Sequence, residues 1–246
     1  MSSYDVDWNF VFSSIPTLLG GLVTTLQIAA LTIALSMVLA VPVAMARMAE
    51  FDLVRWIAQG YIEIFRCTPM LVQLFWIYFA LPALTGVTIP GFASAVIALT
   101  ANLTAFMAEA YRSGFQAVPV EQIEAGKMLR LNTIQRLRYI ILPQAVRQQL
   151  PVILSLNISM FKDTALVSTI AVADLMFKAN TLATQSYKAL EVLSLAAAMY
   201  FVIAFPVSLL TSYLERRSQT AAARRSAPKK KSRTESDAAT PIGATR

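Results

Sequence analysis

The sequence predicts an all-α membrane protein with five transmembrane helices, and three observations carry that reading. Hydrophobic residues make up 57% of the 246 and charged residues only 14%, where a soluble domain carries about a quarter. The mean hydropathy is +0.58. Residues 8–46 and 67–108 contain no charge at all. Lysine and arginine gather between the apolar stretches in clusters that alternate from one side of a membrane to the other. The net charge of +7 follows from that alternation, so no nucleic-acid partner is expected.

Residues 1–18 read as a periplasmic leader, acidic at Asp5 and Asp7, with an entry segment around Pro16 and the Gly20-Gly21 pair. The first span is expected at 19–46. The uncharged run 67–108 is too long for one crossing, and Pro82, Gly86, Pro90 and Gly91 divide it. That division gives a second span at 61–81 and a third at 92–111. A fourth apolar stretch covers 150–173, interrupted by Lys162-Asp163, and a fifth covers 192–214. Arg47 and Arg55 follow the first span, and six basic residues from Arg112 to Arg147 follow the third. Another basic cluster from Arg216 follows the fifth. The N-terminus is therefore predicted periplasmic and the C-terminus cytoplasmic. From residue 218 the chain is rich in Ala, Ser, Thr and basic residues without apolar period, and reads as a disordered cytoplasmic tail. Its Lys229-Lys230-Lys231 run fits either a solvated positive tail or a contact with anionic membrane lipid.

Composition also excludes functions. The chain has no histidine and one cysteine, Cys67, so no metal site, cofactor or internal disulfide is expected. No Gly-x-x-x-x-Gly-Lys-Ser/Thr loop is present, so the chain does not hydrolyse ATP itself. It is not expected to be an enzyme.

The polar loop at about 112–149 is the unusual element. Pro119 suits a first helical turn, and Glu121 and Glu124 suit the helix N-terminal dipole. Asn132 is placed as an N-cap with Gln135 at the capping-box position. Ile134, Leu137 and Ile141 then share one face of a second short helix, which Leu142-Pro143 is expected to end. The physics leaves two readings open: an amphipathic hairpin that only anchors the loop, or a docking element.

Resemblance separates them. The stretch from Glu109 through Tyr111, Arg112, Gly114 and Pro119, then Glu121-Gln122-Ile123-Glu124-Ala125-Gly126, then Leu142-Pro143-Gln144, closely resembles the inner-membrane permeases of bacterial ABC importers for polar amino acids, the histidine/glutamate/glutamine type. Phe65-Arg66-Cys67-Thr68-Pro69 and Lys162-Asp163-Thr164-Ala165-Leu166 resemble two further signatures of that family. The resemblance covers about 15–217 and implies the type I ABC importer permease fold, with a transmembrane domain at 19–217. It implies a bacterial inner-membrane location, an ABC ATPase subunit expected as a homodimer, a periplasmic substrate-binding protein, and a second permease chain, identical or homologous. Glu121, Glu124, Ala125, Gly126, Arg130 and Leu131 would form the ATPase-coupling surface.

Three positions depart from the pattern. Gly126 stands for a second alanine, Arg130 for a glycine at the turn, and Cys67 for a glycine expected to be a small packing residue. The Asn132 cap is expected to move the break downstream and spare Arg130 a strained backbone. For the translocation path, Lys162, Asp163 and Thr164 are the candidates, with Asn157 and Asn102. Adjacent residues on a helix point about 100° apart, so either the helix unwinds at Lys162-Asp163 or the two face different surroundings. A buried pair that only fixes packing is the competing reading. The alternative function, a secondary transporter or channel working without an ATPase, would call for an internal repeat, and none is visible.

Overall fold

A computed structural model describes residues 7–226, with side chains through 216. The predicted calls at Asp5 and at Lys229–Lys231 lie outside these residues. The elements are α1 (Trp8–Arg47), α2 (Asp52–Cys67), α3 (Met70–Thr85), α4 (Gly91–Gln116), α5 (Val120–Met128), α6 (Thr133–Ile170), α7 (Leu175–Ser186) and α8 (Ala189–Ser226). Four of them, α1, α4, α6 and α8, are each long and apolar enough to cross a membrane. The bent pair α2–α3 brings the number to as many as five.

The first helix begins earlier than predicted. Asp7 caps it by accepting from the Phe10 N–H at 3.1 Å, and Pro16 lies inside it. At 40 residues it is roughly 60 Å long, more than a bilayer needs. Apart from Leu18 and Ile28, its buried stripe is built from small residues, among them Gly21, Thr25, Ala29, Thr32, Ser36, Ala40 and Ala44. In a membrane, small residues let backbones approach and gain dispersion contact. The matching stripe on α4 includes Ser94, Ala95, Ala98, Ala105 and Ala108, and Ser36 Oγ donates to the Thr100 carbonyl at 3.2 Å. The early parts of both helices meet one segment, Gly21 of α1 lying against Asp174 and Gly91 of α4 against Val172, so α1 and α4 run parallel.

The second span is broken. Between Cys67 and Met70 the chain turns by 109°, since Thr68 precedes Pro69 and takes extended backbone. A corner inside a membrane leaves carbonyls without helical partners. Gln73 answers this: its Nε2 donates to Phe65 O at 2.9 Å, Thr68 O at 3.0 Å and Thr68 Oγ1 at 2.7 Å. Asn102 of α4 then donates to Gln73 Oε1 at 2.9 Å and to Phe65 O at 3.1 Å. Cys67, expected to pack as a small residue, is exposed, with Sγ 3.6 Å from Glu63 Oε2.

Leu142-Pro143 does not end a helix. The chain runs through it as α6, and the reason recurs in α3. In both, a π-helical turn precedes a Leu-Pro pair: Trp76–Ala80 before Leu81-Pro82, and Leu137–Ile141 before Leu142-Pro143. Leu81 N–H bonds back to Trp76 O and Leu142 N–H to Leu137 O, five residues earlier. The wider turn makes room for a proline ring that an α-turn would push against a carbonyl. Near its far end α6 tightens into a 3₁₀ segment, Thr164–Ile170, stopped by Ala171 at φ 58°.

Asp174 caps α7 by accepting from the Phe177 N–H at 2.8 Å. Lys188 Nζ donates to Asp7 Oδ2 at 2.6 Å and sits 4.6 Å from the Phe10 ring centroid, joining the starts of α8 and α1. The helix α8 continues to Ser226, beyond the predicted start of the disordered tail at 218; an unbroken helical ladder persists there without apolar period. Outward-facing Phe201, Val202, Phe205, Leu209 and Leu210 suit a lipid-facing or partner-facing side.

Replacing Gln73 by Leu removes the donor that serves two backbone carbonyls. It should destabilise the chain by about 1–3 kcal/mol, read as a lower melting temperature in detergent, with exposed Val72→Leu unaffected.

Candidate functional site

The loop predicted as a helix–turn–helix is one. Asn132 accepts from Gln135 N–H at 2.8 Å while Gln135 Oε1 accepts from Asn132 N–H at 2.9 Å, the reciprocal capping box. Leu131 N–H donates to Gly126 O at 3.1 Å and Arg130 N–H to Lys127 O at 2.9 Å. This is the Schellman pattern, and it needs a left-handed residue at the position of Arg130. Arg130 supplies it, with φ 54°. The expectation that Asn132 would spare Arg130 is therefore corrected. The cap forms where predicted, but it starts the next helix and does not replace the left-handed turn that stops α5.

Gly126 is buried against α6. A Cβ there would stand 2.7 Å from Ile140 Cδ1 and 3.3 Å from Arg136 Cγ. Gln144 adds a third tie: its Nε2 donates to Gln122 Oε1 at 2.6 Å and to Ile140 O at 3.0 Å. Gln144 thus joins the two arms of the hairpin and also serves the wide turn before Pro143. Beneath the hairpin, Gly114 of α4 lets α6 approach so closely that a Cβ would meet the Ala145 Cβ and carbonyl at 3.0 Å. Arg112 Nε donates to both Glu109 oxygens, at 3.1 and 3.0 Å, and its Nη1 to Gln116 Oε1 at 2.8 Å.

The result is a hairpin fixed on its inner side and open on its outer side. Glu121, Glu124, Ala125 and Arg130 face outward, Leu131 is half-buried and Gly126 is turned in. Residue reading missed the tip. Met128 is 85% exposed, Leu129 73% and Ile134 71%. Two adjacent apolar residues just before a turn, where a solvated hairpin would place polar ones, were the signal for it.

The path candidates do not form one cluster. Asn102 is committed to the corner at Gln73. Asn157 faces an apolar cavity of about 250 Å³ among α1, α6 and α8, lined by Leu26, Ala30, Phe161, Ile203 and Ala204. Its Oδ1 is buried without a hydrogen-bond partner. Lys162 is exposed in a groove of about 360 Å³ between α6, α7 and α8. Asp163 is half-buried, and Thr164, fully buried, donates to Phe161 O at 2.6 Å. Of the two predicted options for Lys162-Asp163, the helix tightens directly after the pair and the two side chains differ in surroundings.

A group that the sequence did not single out lies close by. Asp174 is 0% exposed. Its Oδ1 accepts the α7 cap bond, while Oδ2 has no partner. Burial pushes its carboxyl up to about 6, against the pull of the backbone N–H groups at the start of α7. Leu175 N–H donates to Thr25 Oγ1 at 3.0 Å, and Gly21 lets α1 come within 2.7 Å, measured from its would-be Cβ to the Asp174 carbonyl oxygen.

The family described as binding-protein-dependent transport system inner membrane component matches residues 33–220. The chain belongs to this family. It is similar to the glutamate/aspartate import permease protein GltK of Escherichia coli O6:H1, 33% identical over 223 residues, 87% of this chain and 99% of that one. It is also similar to the L-cystine transport system permease protein TcyB of Bacillus subtilis, 37% identical over 214 residues, 86% and 91% of the two chains. Among solved structures, an amino acid ABC transporter with histidines superposes with a TM-score of 0.77 at 35% identity. The match covers 87% of this chain and 100% of that one. An inward-facing MetNI methionine ABC transporter shares the fold, with a TM-score of 0.66 at 20% identity, over 80% and 96% of the chains. The chain is thus an ABC importer permease subunit of the inner membrane, a transport component and not a catalyst.

Arg130→Gly should raise the melting temperature of the purified chain by removing about 1 kcal/mol of left-handed strain. Arg130→Val, β-branched at the same φ, should lower it.

Proposed function

We propose that this chain is the permease of an importer for a polar amino acid or a closely related solute, with the hairpin as its ATPase-coupling element. The observation that carries this is the hairpin itself. It is locked on its inner side by the capping box, the left-handed turn and the Gln122–Gln144 bond. Outward it offers Glu121, Glu124 and Ala125 beside a bare apolar tip. Carboxylates beside exposed apolar side chains suit seating in a protein cleft better than exposure to water. The partner that fits is an ABC ATPase subunit, present as a homodimer. A second permease chain, identical or homologous, completes the path, and a periplasmic binding protein delivers the solute.

On this reading the N-terminus is periplasmic, and the hairpin and C-terminus are cytoplasmic. ATP-driven closure of the ATPase pair pushes the hairpin, and the bundle alternates between inward- and outward-open states. Lys162, Asp163 and Thr164, with Asn157 in the neighbouring cavity, border the path. The amide of Asn102 stabilises the corner beside it.

Affinity purification of the tagged permease should bring down an ATPase at about one copy per permease chain, the ratio that one hairpin per cleft requires. Glu124→Lys should insert normally yet lower ATP-driven uptake about tenfold or more, the loss of about 1.4 kcal/mol of coupling. Gly126→Trp, which forces Ile140 away, should do the same. Amino acid uptake by the permease alone in liposomes, without an ATPase, would instead establish a secondary transporter.

A further inference from the structure

Two buried polar atoms near the Lys162 groove have no hydrogen-bond partner. Asp174 Oδ2 is fully buried and unbonded, and so is the Tyr200 hydroxyl. Tyr200 and Met176 line the same groove, Thr25 Oγ1 accepts from the N–H of Leu175 beside Asp174 at 3.0 Å, and the Asp174 charge acts on the Tyr200 phenol. A bare carboxylate oxygen away from water is costly, and native proteins rarely leave one without a function.

The α7 cap does not explain it. Capping needs one side-chain oxygen, and Oδ1 already accepts from Phe177 N–H. Serine, threonine or asparagine would cap as well without burying a charge. The second oxygen points to an absent donor.

The surroundings say what kind of donor. The Tyr200 ring forms part of the wall of the groove that exposes Lys162, together with Met176, Ala165 and Ala197. Met176, two residues on from the buried Asp174, brings that carboxylate's segment to the same groove. At about 360 Å³ the groove lies at the small end of the range for ligand sites. It carries a cation at Lys162, and the segment that lines it holds a buried, unpaired carboxylate oxygen at Asp174. That is the complement of a small zwitterion.

We propose that Asp174 and Tyr200 receive the ammonium group of the transported amino acid, with Lys162 facing its carboxylate. Tyr200 turns aside to admit the ammonium, and its hydroxyl oxygen and Asp174 Oδ2 accept two of its hydrogens. Three hydrogen-bond donors on one cation suit these two orphaned acceptors and a neighbouring threonine hydroxyl. This assignment rests on the proposed import of an amino acid and adds the residues that would recognise its amino end.

The test uses the assembled transporter. ATP-driven uptake of radiolabelled L-glutamate, L-glutamine, L-arginine and L-cystine is first measured with permease, ATPase and binding protein in proteoliposomes. Absence of uptake for all four would remove the functional reading, and this inference with it. For an amino acid that is taken up, equilibrium binding to the solubilised permease–ATPase complex without binding protein is compared with that of its 2-hydroxy acid counterpart, which carries hydroxyl in place of ammonium. Wild type should prefer the amino acid by at least about tenfold, as expected for hydrogen bonds to a charged group. Asp174→Asn, which keeps the cap, should reduce that preference to about twofold or less, and Tyr200→Phe should reduce it in part. Undiminished preference in Asp174→Asn, no measurable binding of the amino acid by wild type, or failure of Asp174→Asn to assemble with the ATPase would each overturn the assignment while leaving amino acid import in place.

Discussion

The constraint on which the rest of this structure depends is that a backbone N–H or carbonyl shielded from water must find its partner within the protein. Straight helices meet it automatically. This chain breaks its helices repeatedly, and most breaks are served by a specific side chain. At the 109° corner Gln73 and Asn102 supply the donors. At the second Leu-Pro pair, Gln144 reaches the Ile140 carbonyl. At the start of α7, Asp174 and Thr25 take the first free N–H groups. The polar residues scattered through an otherwise apolar sequence are largely the ones that make these breaks possible.

Close approach is the second half of the same design. Hydrophobic burial gives little drive between helices already in lipid, so packing rests on shape. The α1 stripe of glycine, alanine, serine and threonine packs against α4 and α7, and Gly21 and Gly114 mark the places where another backbone comes nearest. A methyl group at either glycine would strike backbone atoms. At Gly126 it would mainly strike the end of one isoleucine. That difference separates architectural glycines from one that only sets how tightly the hairpin closes.

Much of this was legible in the residues. Uncharged runs located the apolar helices, although the span expected at 61–81 is broken at Thr68-Pro69, and Asn132 with Gln135 gave the capping box, because both signals are local and strong. The misses have a common physical source. Leu142-Pro143 reads as a stop when the only alternative considered is an α-turn, whereas a π turn admits the ring. Arg130 was expected to be relieved by the cap two residues on, but the end of one helix and the start of the next are separate hydrogen-bonding problems. Asp174 carries no signal in its own neighbourhood. Its burial comes from α1 and α8, far away in sequence, and no local pattern could announce it.

The two departures in the hairpin bear on how force would travel through the subunit. Gly126 weakens α5 intrinsically, and Arg130 strains its end; each is worth roughly 0.5–1 kcal/mol. The short helix therefore owes its position less to its own propensity than to α6, through Ile140, Arg136 and Gln144. In turn α6 is continuous from Thr133 to Ile170. Lys162 lies about 40 Å along it from the hairpin contact, at 1.5 Å per residue. A push on a hairpin held this way cannot be absorbed by α5 sliding alone, and it moves the near end of α6. The places along α6 where that motion could bend are its weak points: the π turn before Pro143, Pro151, and the 3₁₀ segment after Asp163. The last of these directly follows Lys162 and leads into Asp174, so a bend there would change the distance between the cation and the buried carboxylate. On the proposed reading, that change is what would capture the solute on one stroke and release it on the other.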